Sequence, residues 1–385
     1  MAGFNVKPDL LQWAIERSGL PEEFLFEKFP KLEAWISLEK QPTLKQLQSF
    51  AKKTMVPFGY LFLNSPPQEK LPVPDYRTRD GGKVKRPSPN LIDTLYDMQR
   101  RQEWMREYLL ERGHESLSFV GTVNVGDDIT ESANRIRKEL GLAKGWAQRT
   151  GATDSALRLL RDKIEEAGIL IFLSGIVANN TTRTLDVEEF QGFVLSDDIV
   201  PLIFVNSTDA KNAQMFTIAH ELVHVWVGKS ALFDNLMSSE FDNDLEKFCN
   251  SVAAELLVPE LQLLEVLRRN KPVSSVDFKS LSRVYRVSPV VIARRCLDAK
   301  QIDEGRFFAF YIAYMEELKN VPKRGTDGGN FWNNQNTRLG ERFGRAVITS
   351  AKEGRLSYSD AYGLVNLKGK TFDKYADRLF GKGGE

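Results

Sequence analysis

The stretch FTIAHELVHVWVGK, residues 216–229, contains two of the three histidines in a chain of 385 residues. His220 and His224 lie four positions apart, and Glu221 directly follows the first of them. A shuffled chain of the same composition would produce this H-E-x-x-H pattern roughly once in a thousand shuffles. The pattern therefore asks for a chemical interpretation. The alternative is a buried helix in which the two histidines only pack in the interior or cap a helix end.

On an α-helix, residues i and i+4 lie on one face, one turn apart. His220 and His224 can therefore both aim a ring nitrogen at one metal ion, for which imidazole ligands favour zinc. Glu221 is rotated by about 100° from His220, so its carboxylate can reach a water beside the ion and act as a general base. These roles define a metal-dependent hydrolase. The helix is expected to be buried and the site dry, because the flanking side chains are small or apolar: Ile218, Ala219, Leu222, Val223 and Val225.

A catalytic zinc site needs a third protein ligand, and the remaining histidine, His114, is distant in the sequence. A carboxylate or Cys249 must therefore serve. The segment NDLEKFCNSVAAELLVPE (243–260) predicts a helix with Glu246 and Asn250 on one stripe. Glu246 can complete the ligand set, and Asn250 can hydrogen-bond a ligand. The pattern predicts Cys249 to be a buried small side chain. The competing carboxylates are Glu240, Asp242, Asp244 and Glu255.

The segments PLIFVNSTDAKNAQMFTIAHELVHVWVG (201–228) and EKFCNSVAAELLVPE (246–260) together resemble the ImmA/IrrE metallopeptidases of bacteria and their mobile elements. The resemblance covers about residues 130–300. It implies a zincin-like domain in which His220, His224 and Glu246 bind Zn²⁺ and Glu221 is the general base. It also implies a site-specific zinc endopeptidase that cuts a helix-turn-helix repressor, or another product of an adjacent gene, to release a stress or mobile-element programme.

Two positions depart from the family's pattern. Met215 stands where family members often have arginine, and Val223 stands where they commonly have glycine. Valine is larger than glycine, so Val223 is expected to narrow the space beside the ligands.

An extended peptide substrate can add as a strand to the edge of a sheet. PLIFVN (201–206), just before the motif helix, is the candidate edge strand, with Phe204, Val205 and Asn206 as the residues that face the substrate. An ordinary core strand is the alternative. No oxyanion stabiliser is identified. Three residues on later predicted helices could reach the site, and ordinary packing or surface contacts are the alternative for each of them: Tyr285, Arg294 and Arg295.

The hydrophobic pattern predicts an α+β fold that is mostly helical. Residues 91–303 are assigned to the metallopeptidase domain, with a small sheet that includes the buried strand GILIFLSG (168–175) and the hairpin of FQGFVLS and PLIFVN (190–206). Helical domains are predicted on either side, at residues 1–64 and 304–385.

Residues 1–64 predict short helices, with Pro21 at a helix start and Thr43 as an N-cap. KLEAWISLEKQPTLKQLQSFAKKTMVPFGYLFL (31–63) resembles the Xre-type helix-turn-helix that precedes some bacterial metallopeptidases. Residues 1–64 hold eight basic and seven acidic side chains, whereas a DNA-binding face should be clearly positive. Protein docking or a structural role is the alternative. Residues 65–90 contain six prolines and predict an extended linker.

The last 65 residues, 321–385, hold 12 basic and 7 acidic side chains. LSYSDAYGLVNLKGKTFDKYADRLF (356–380) predicts a helix, a short turn and a second helix, with Ser357 or Ser359 capping the first. DNA binding is expected to be weak at most and to come more from this segment than from residues 1–64. A small helical cap with solvated lysines is the alternative.

A formal net charge of +1 produces no global attraction to nucleic acid or membrane. Two cysteines in apolar helical patterns are no disulfide framework. The polar N-terminus and the lack of a long apolar run argue against a signal peptide and a membrane span, so a cytoplasmic location is expected. The alternative to an enzyme is a binding module, such as a transcription regulator or a toxin–antitoxin component, that holds a partner with the metallopeptidase fold. A pure binder has no need of Glu221.

Overall fold

The computed structural model describes residues 3–69, 79–80, 83–84, 87–233, 244–269, 277–320 and 331–381. Two units divide this part of the chain, one ending at Tyr96 and one beginning at Asp97. The division falls inside α5 (Pro89–Leu110). The elements that precede it are α1 (Pro8–Ser18), α2 (Glu22–Lys28), α3 (Leu32–Ile36), α4 (Leu44–Thr54), a 3-10 helix (Phe58–Phe62), β1 (Arg79–Asp80) and β2 (Lys83–Val84).

The first unit is helical in its described residues, apart from the two-residue antiparallel pair β1–β2. Thr43 caps α4, because its side chain accepts from the Gln46 backbone N–H and the Gln46 side chain accepts from the Thr43 backbone N–H. Gly19 ends α1 with a φ of 64°. Leu10, Leu11, Trp35, Leu47 and Phe50 are buried in one apolar core. The Xre-type character of this unit stays a prediction.

The second unit contains a sheet between two layers of helices. The strands of the second unit are β3 (Leu170–Ser174), β4 (Ile176–Val177), β5 (Asn180–Thr184), β6 (Gly192–Leu195), β7 (Leu202–Asn206) and β8 (Ala231–Phe233). Its helices after α5 are α6 (Ile129–Glu139), a 3-10 helix (Ala147–Arg149), α7 (Thr153–Glu166), α8 (Lys211–Val227), α9 (Asp244–Leu257), α10 (Glu260–Arg269), α11 (Phe278–Tyr285), α12 (Pro289–Asp298), α13 (Glu304–Asn320), α14 (Phe331–Leu339), α15 (Glu341–Lys352), α16 (Tyr358–Val365) and α17 (Lys370–Gly381). A mostly helical α+β architecture is therefore confirmed.

The main sheet has the strand order β3-β7-β6-β8, with β3 parallel to β7 and β6 antiparallel to both of its neighbours. Since side chains alternate across a strand, Ile171, Ile203 and Val205 lie on one face and join the core that contains α8. Phe172 and Phe204 lie on the opposite face. The predicted buried strand is β3, and the predicted hairpin is β6–β7. The small hairpin β4–β5 was not predicted.

The sequence analysis placed a substrate-binding edge strand at Phe204, Val205 and Asn206, and this prediction is wrong. These residues belong to β7, which pairs with β3 on one side and β6 on the other. Its backbone groups are therefore used within the sheet. Asn206 is fully buried and shapes the turn that leads to α8, because its side chain accepts from the Thr208 backbone N–H at 3.1 Å. Among the described residues, the outer strands of this sheet are β3 and β8.

The C-terminal helices belong to the second unit, although the sequence analysis assigned residues 304–385 to a separate domain. The aromatic face of the sheet gives the physical reason, because it needs an apolar cover. The Phe343 ring of α15 lies edge-on to Phe172, with 5.5 Å between ring centroids. Arg101 of α5 lies over both rings, 5.2 Å from the Phe172 centroid and 5.8 Å from that of Phe343.

A half-buried carboxylate also connects α7 with α15. Glu165 accepts a hydrogen bond at 3.3 Å from the Glu341 backbone N–H, at the first residue of α15. Gly340 precedes it with a φ of 63°, and a Cβ there would lie 2.4 Å from Glu165 Oε1. Burial raises the pKa of Glu165 to about 7, against the opposing effect of the Arg161 charge. Asp162 and Glu341 add to the rise, and Arg342 also interacts with the Glu165 charge.

We expect Glu165→Gln to flatten the pH dependence of stability. The pKa of Glu165 is higher in the folded protein than its ordinary value of 4.5, so its contribution to stability is complete below about 4.5 and is lost as the pH rises through about 7. Glutamine keeps the shape without the charge. At pH 8 the variant should therefore exceed the wild type in free energy of unfolding by about 1–3 kcal/mol, measured by urea unfolding. The exposed neighbour Glu166 supplies the control Glu166→Gln, which should follow the wild type. Equal pH slopes for Glu165→Gln and the wild type would contradict the prediction.

Candidate metal centre

The motif helix α8 is buried along nearly its whole length. All residues from Gln214 to Trp226 are buried, which indicates that other elements pack against every side of the helix. Its C-terminal end is set by Gly228, with a φ of 74° and a backbone N–H that donates to the His224 carbonyl at 2.9 Å. One side of the helix packs against β6 and β7, and another against α9. The fully buried Ala253 of α9 lies in the same core and allows close approach.

Three side chains from α8 and α9 converge. His220 Nε2 lies 3.1 Å from Glu246 Oε2, and His224 Nε2 lies 3.3 Å from Glu246 Oε1. The two histidine Nε2 atoms are 3.1 Å apart. In the described part of the chain, these three residues are the group whose ligand atoms could share one metal ion.

The donor set fits a zinc ion. Ligand atoms about 2.0–2.1 Å from a tetrahedral zinc lie roughly 3.3 Å from one another, which is close to the separations seen here. His220 Nδ1 lies 3.0 Å from Asn250 Oδ1. A proton on Nδ1 would be donated to this amide oxygen, which leaves the Nε2 lone pair directed at the other two ligands. Asn250 thus orients His220, while His224 Nδ1 has no hydrogen-bond partner within the described residues.

The charges of the site favour the protonation states that a metal needs. Burial lowers the pKa of His220 below its ordinary value, which keeps the ring neutral at pH 7. Burial alone would raise the pKa of Glu246, but the adjacent His220 and His224 rings lower it below its ordinary range. The two groups are therefore a neutral imidazole and a carboxylate, as metal binding requires. The Glu246 side chain keeps 29% of its exposure and marks the side from which the site meets solvent.

Glu221 is fully buried, and neither carboxylate oxygen has a hydrogen-bond partner in the described part of the chain. Burial, with a smaller effect from the Glu246 charge, raises its pKa well above the ordinary value. A buried carboxylate without a partner costs free energy and is rare in structural roles. Such a group beside a metal-ligand set is a candidate catalytic residue.

Gly192 of β6 allows this arrangement, and the sequence analysis missed it. A Cβ at position 192 would lie 2.7 Å from Thr217 Cγ2, 3.0 Å from the Phe204 carbonyl oxygen and 3.3 Å from Glu221 Oε1. Only a glycine therefore lets β6 pass this close to α8. The available signal was an isolated glycine inside an apolar strand, FQGFVLS, which indicates a close backbone approach.

The other candidates from the sequence lie elsewhere or have other partners. Cys249 is a free thiol buried in the main core, and burial raises its pKa well above the ordinary value. Met215 and Val223 are fully buried in the same core. His114 is exposed. Asp244 is the first residue of α9 and outside the ligand group. Glu240 and Asp242 lie outside the described residues.

Glu255 and Arg295 neutralise each other in the interior. Arg295 donates to the Glu255 carboxylate, and Arg137 lies 4.0 Å from the other carboxylate oxygen. Arg294 pairs with Asp298 on the surface at 3.0 Å. Tyr285 is buried in the core. These contacts account for Arg294 and Arg295 without an oxyanion role.

The fold and the donor set define a candidate metal-dependent hydrolase, and comparison with known proteins narrows the class. Residues 164–297, which include His220, Glu221, His224 and Glu246, match the family model described as the IrrE N-terminal-like domain. Residues 339–378 match a second model, described as a domain of unknown function (DUF8813).

The chain is also similar to the Radiation response metalloprotease IrrE of Deinococcus deserti. The two are 31% identical over 122 residues, which is 27% of this chain and 43% of the relative, so less than half of that relative is covered. No solved structure gives a significant match. These findings support the ImmA/IrrE family and point to a metallopeptidase. No helix in the described part of the chain is long and apolar enough to cross a membrane.

We expect the purified protein to hold about one zinc ion per chain. His220→Ala and Glu246→Gln should each lose it, because each removes one of three converging ligands. His114→Ala removes a histidine outside the site, and Cys249→Ala removes the neighbouring thiol, so both should retain zinc. Elemental analysis after dialysis gives the stoichiometry. Full occupancy in Glu246→Gln would refute the ligand assignment.

We expect Gly192→Ala to destabilise the protein by about 1–3 kcal/mol, as overpacking of a tight core does. The nearest obstacle is Thr217 Cγ2 at 2.7 Å, so adding Thr217→Ser should restore part of the loss. Gly151→Ala is the control, because no atom lies within 4 Å of a Cβ at that position. Thermal and urea unfolding measure the three variants beside the wild type. A Gly192→Ala protein as stable as the control would contradict the close approach of β6 and α8.

Proposed function

We propose that this chain is a zinc-dependent, site-specific endopeptidase that cuts a regulatory protein in the cytoplasm. The proposal rests mainly on Glu221. Its buried carboxylate has no hydrogen-bond partner among the described residues and lies beside the converging His220, His224 and Glu246. The similarity to a radiation response metalloprotease supports a role in a stress programme. We propose a helix-turn-helix repressor, or another adjacent-gene product, as the substrate.

The residues of the site can divide the work of peptide hydrolysis. Zinc held by His220, His224 and Glu246 would polarise the scissile carbonyl and lower the pKa of water. The positive charge of a bound zinc ion would lower the raised pKa of Glu221, whose carboxylate can then take a proton from the attacking water as the new C–O bond forms. The same carboxyl then gives that proton to the leaving amine as the C–N bond breaks, so the base is restored. Asn250 holds the His220 ring in the orientation that this requires.

The substrate strand in this proposal adds to β8, since β7 is enclosed in the sheet. β8 pairs with β6 in a register that sets Phe233 opposite Gly192, the residue that lies against Glu221. An extended peptide on the outer side of β8 would continue the sheet by backbone hydrogen bonds. The sheet has its open edge on that side within the described residues.

A binding module is the second candidate, and the burial of the site favours it. His220, Glu221 and His224 are at most 1% exposed. A partner could be held by this fold without being cut, as in a transcription regulator or an antitoxin-like protein. The two candidates differ in whether Glu221 is needed.

Glu221→Gln decides between them. The variant should keep zinc and its partner, because Glu221 is not among the converging ligands and the change is nearly isosteric. Cleavage should fall by ~10²–10⁴-fold, as removal of a general base typically causes. The experiment co-expresses each protein with the repressor from its own locus, then measures internal cleavage by mass spectrometry and complex formation by co-purification. Glu188→Gln, an exposed glutamate change outside the site, is the matched control.

Loss of cleavage in Glu221→Gln with the complex retained supports the peptidase. If the wild type cuts no adjacent-gene product, and regulates that product only as well as Glu221→Gln does, the binding module replaces the peptidase as the proposed function. Cleavage by Glu221→Gln at the wild-type rate refutes the role of this carboxylate.

A further inference from the structure

Helix α13 carries an exposed stripe that the metal centre does not use. At 100° per residue, five side chains fall within about 80° of one another around the helix axis. They are Glu304, Phe308, Ile312, Met315 and Lys319, all of them exposed and called the α13 stripe below. The three apolar members keep 49%, 57% and 37% of their exposure. The stripe therefore extends over four turns, with an apolar centre and a charge at each end.

The opposite side of α13 accounts for its attachment to the second unit. Phe307 is buried in the main core, and the Phe310 ring packs on Phe278 of α11 with 4.8 Å between centroids. Glu317 pairs with Lys279 of α11 at 2.6 Å. The α13 stripe is not needed for any of these contacts. A contiguous exposed row of large apolar side chains marks an interaction site more often than chance.

The order of residues along the α13 stripe makes it complementary to a second copy of the same stripe. An antiparallel arrangement of two α13 helices that puts Phe308 opposite Met315 also puts Glu304 opposite Lys319. Ile312 then meets its own counterpart near the two-fold axis. The pairing gives two sulfur–aromatic contacts and two ion pairs, because each contact occurs twice under two-fold symmetry. Neither Glu304 nor Lys319 has an ion-pair partner elsewhere in the described residues.

A parallel arrangement would not have this complementarity. It would set Glu304 against Glu304 and Lys319 against Lys319, which repel. The helix dipoles also favour the antiparallel arrangement, because each negative C-terminal end then lies beside a positive N-terminal end. A stripe with its acidic residue at the N-terminal end and its basic residue at the C-terminal end is thus complementary to itself in one orientation.

We propose that the α13 stripe is a self-association surface, where a second copy of this chain binds through the same stripe in an antiparallel, two-fold pair. The interface is one helix per copy and therefore small, which makes the dimer weak and dependent on concentration. This proposal is independent of peptidase activity.

The first test measures the mass of the full chain by sedimentation equilibrium over ~1–500 µM, a range suited to weak pairs. The wild type should shift from monomer to dimer. Ile312→Glu places charges at the two-fold axis and should weaken the dimer at least about tenfold. Leu261→Glu, on α10, is the matched control, since Leu261 is 70% exposed and lies outside the stripe. A wild type that stays monomeric throughout, as when another segment or partner covers the stripe, overturns the proposal.

The second test uses charge exchange and distinguishes the antiparallel pair from other modes of association. Glu304→Lys alone and Lys319→Glu alone should each weaken the dimer about three- to tenfold, because both create two like-charge contacts. The double variant should recover the wild-type affinity. An equal mixture of the two single variants should form a mixed dimer more strongly than either variant pairs with itself. Association that is indifferent to these exchanges, or a mixture no stronger than its components, overturns the antiparallel arrangement.

Discussion

The packing of α8 between the sheet and α9 is the constraint on which the second unit depends. A helix that carries two histidines and a glutamate into the interior must give up the hydration of all three. Its neighbours can enclose it because they are small where they meet it, with Gly192 on β6 and Ala253 on α9. The same closeness sets the distance between the α8 histidines and Glu246, so the ligand geometry follows from backbone packing rather than from flexible side chains.

Three carboxylates in this unit, two of them buried and one half-buried, have different surroundings. Glu255 lies between Arg295 and Arg137, which neutralise it where α6, α9 and α12 meet. Glu165 accepts from the first backbone N–H of α15 and so replaces a conventional cap. Glu221 has neither an arginine nor a backbone donor among the described residues. The first two carboxylates have partners on another element, whereas Glu221 has no hydrogen-bond partner in the described part of the chain. The proposed role as general base would explain its position.

The sequence predicted the parts of this structure that short-range periodicity determines. The spacing of His220 and His224 placed both on one helical face, and the stripe on the following helix brought in Glu246 and Asn250. Long-range pairing was not available from the pattern. A strand buried on both faces reads as a continuous apolar run whether it lies inside a sheet or at its edge, and for that reason β7 was misplaced. Gly192 was missed for a related reason, because its importance comes from a helix that follows it by about twenty residues.

The sequence analysis divided the chain at residue 303, whereas in the structure the residues on both sides of that position lie in one compact unit. The C-terminal residues are basic overall, which suggested a separate helical domain, yet Phe343 packs on Phe172 of the sheet. Phe172 lies within the stretch that matches the IrrE N-terminal-like domain, and Phe343 lies within the stretch that matches DUF8813. The rear face of the sheet is thus completed by a segment that a different family model describes. Since α8 packs against β6 and β7 from the other side, the C-terminal helices and the metal centre lie on opposite faces of the same sheet. Two stretches that match separate models therefore pack against each other through Phe172 and Phe343, on the face of the sheet opposite α8.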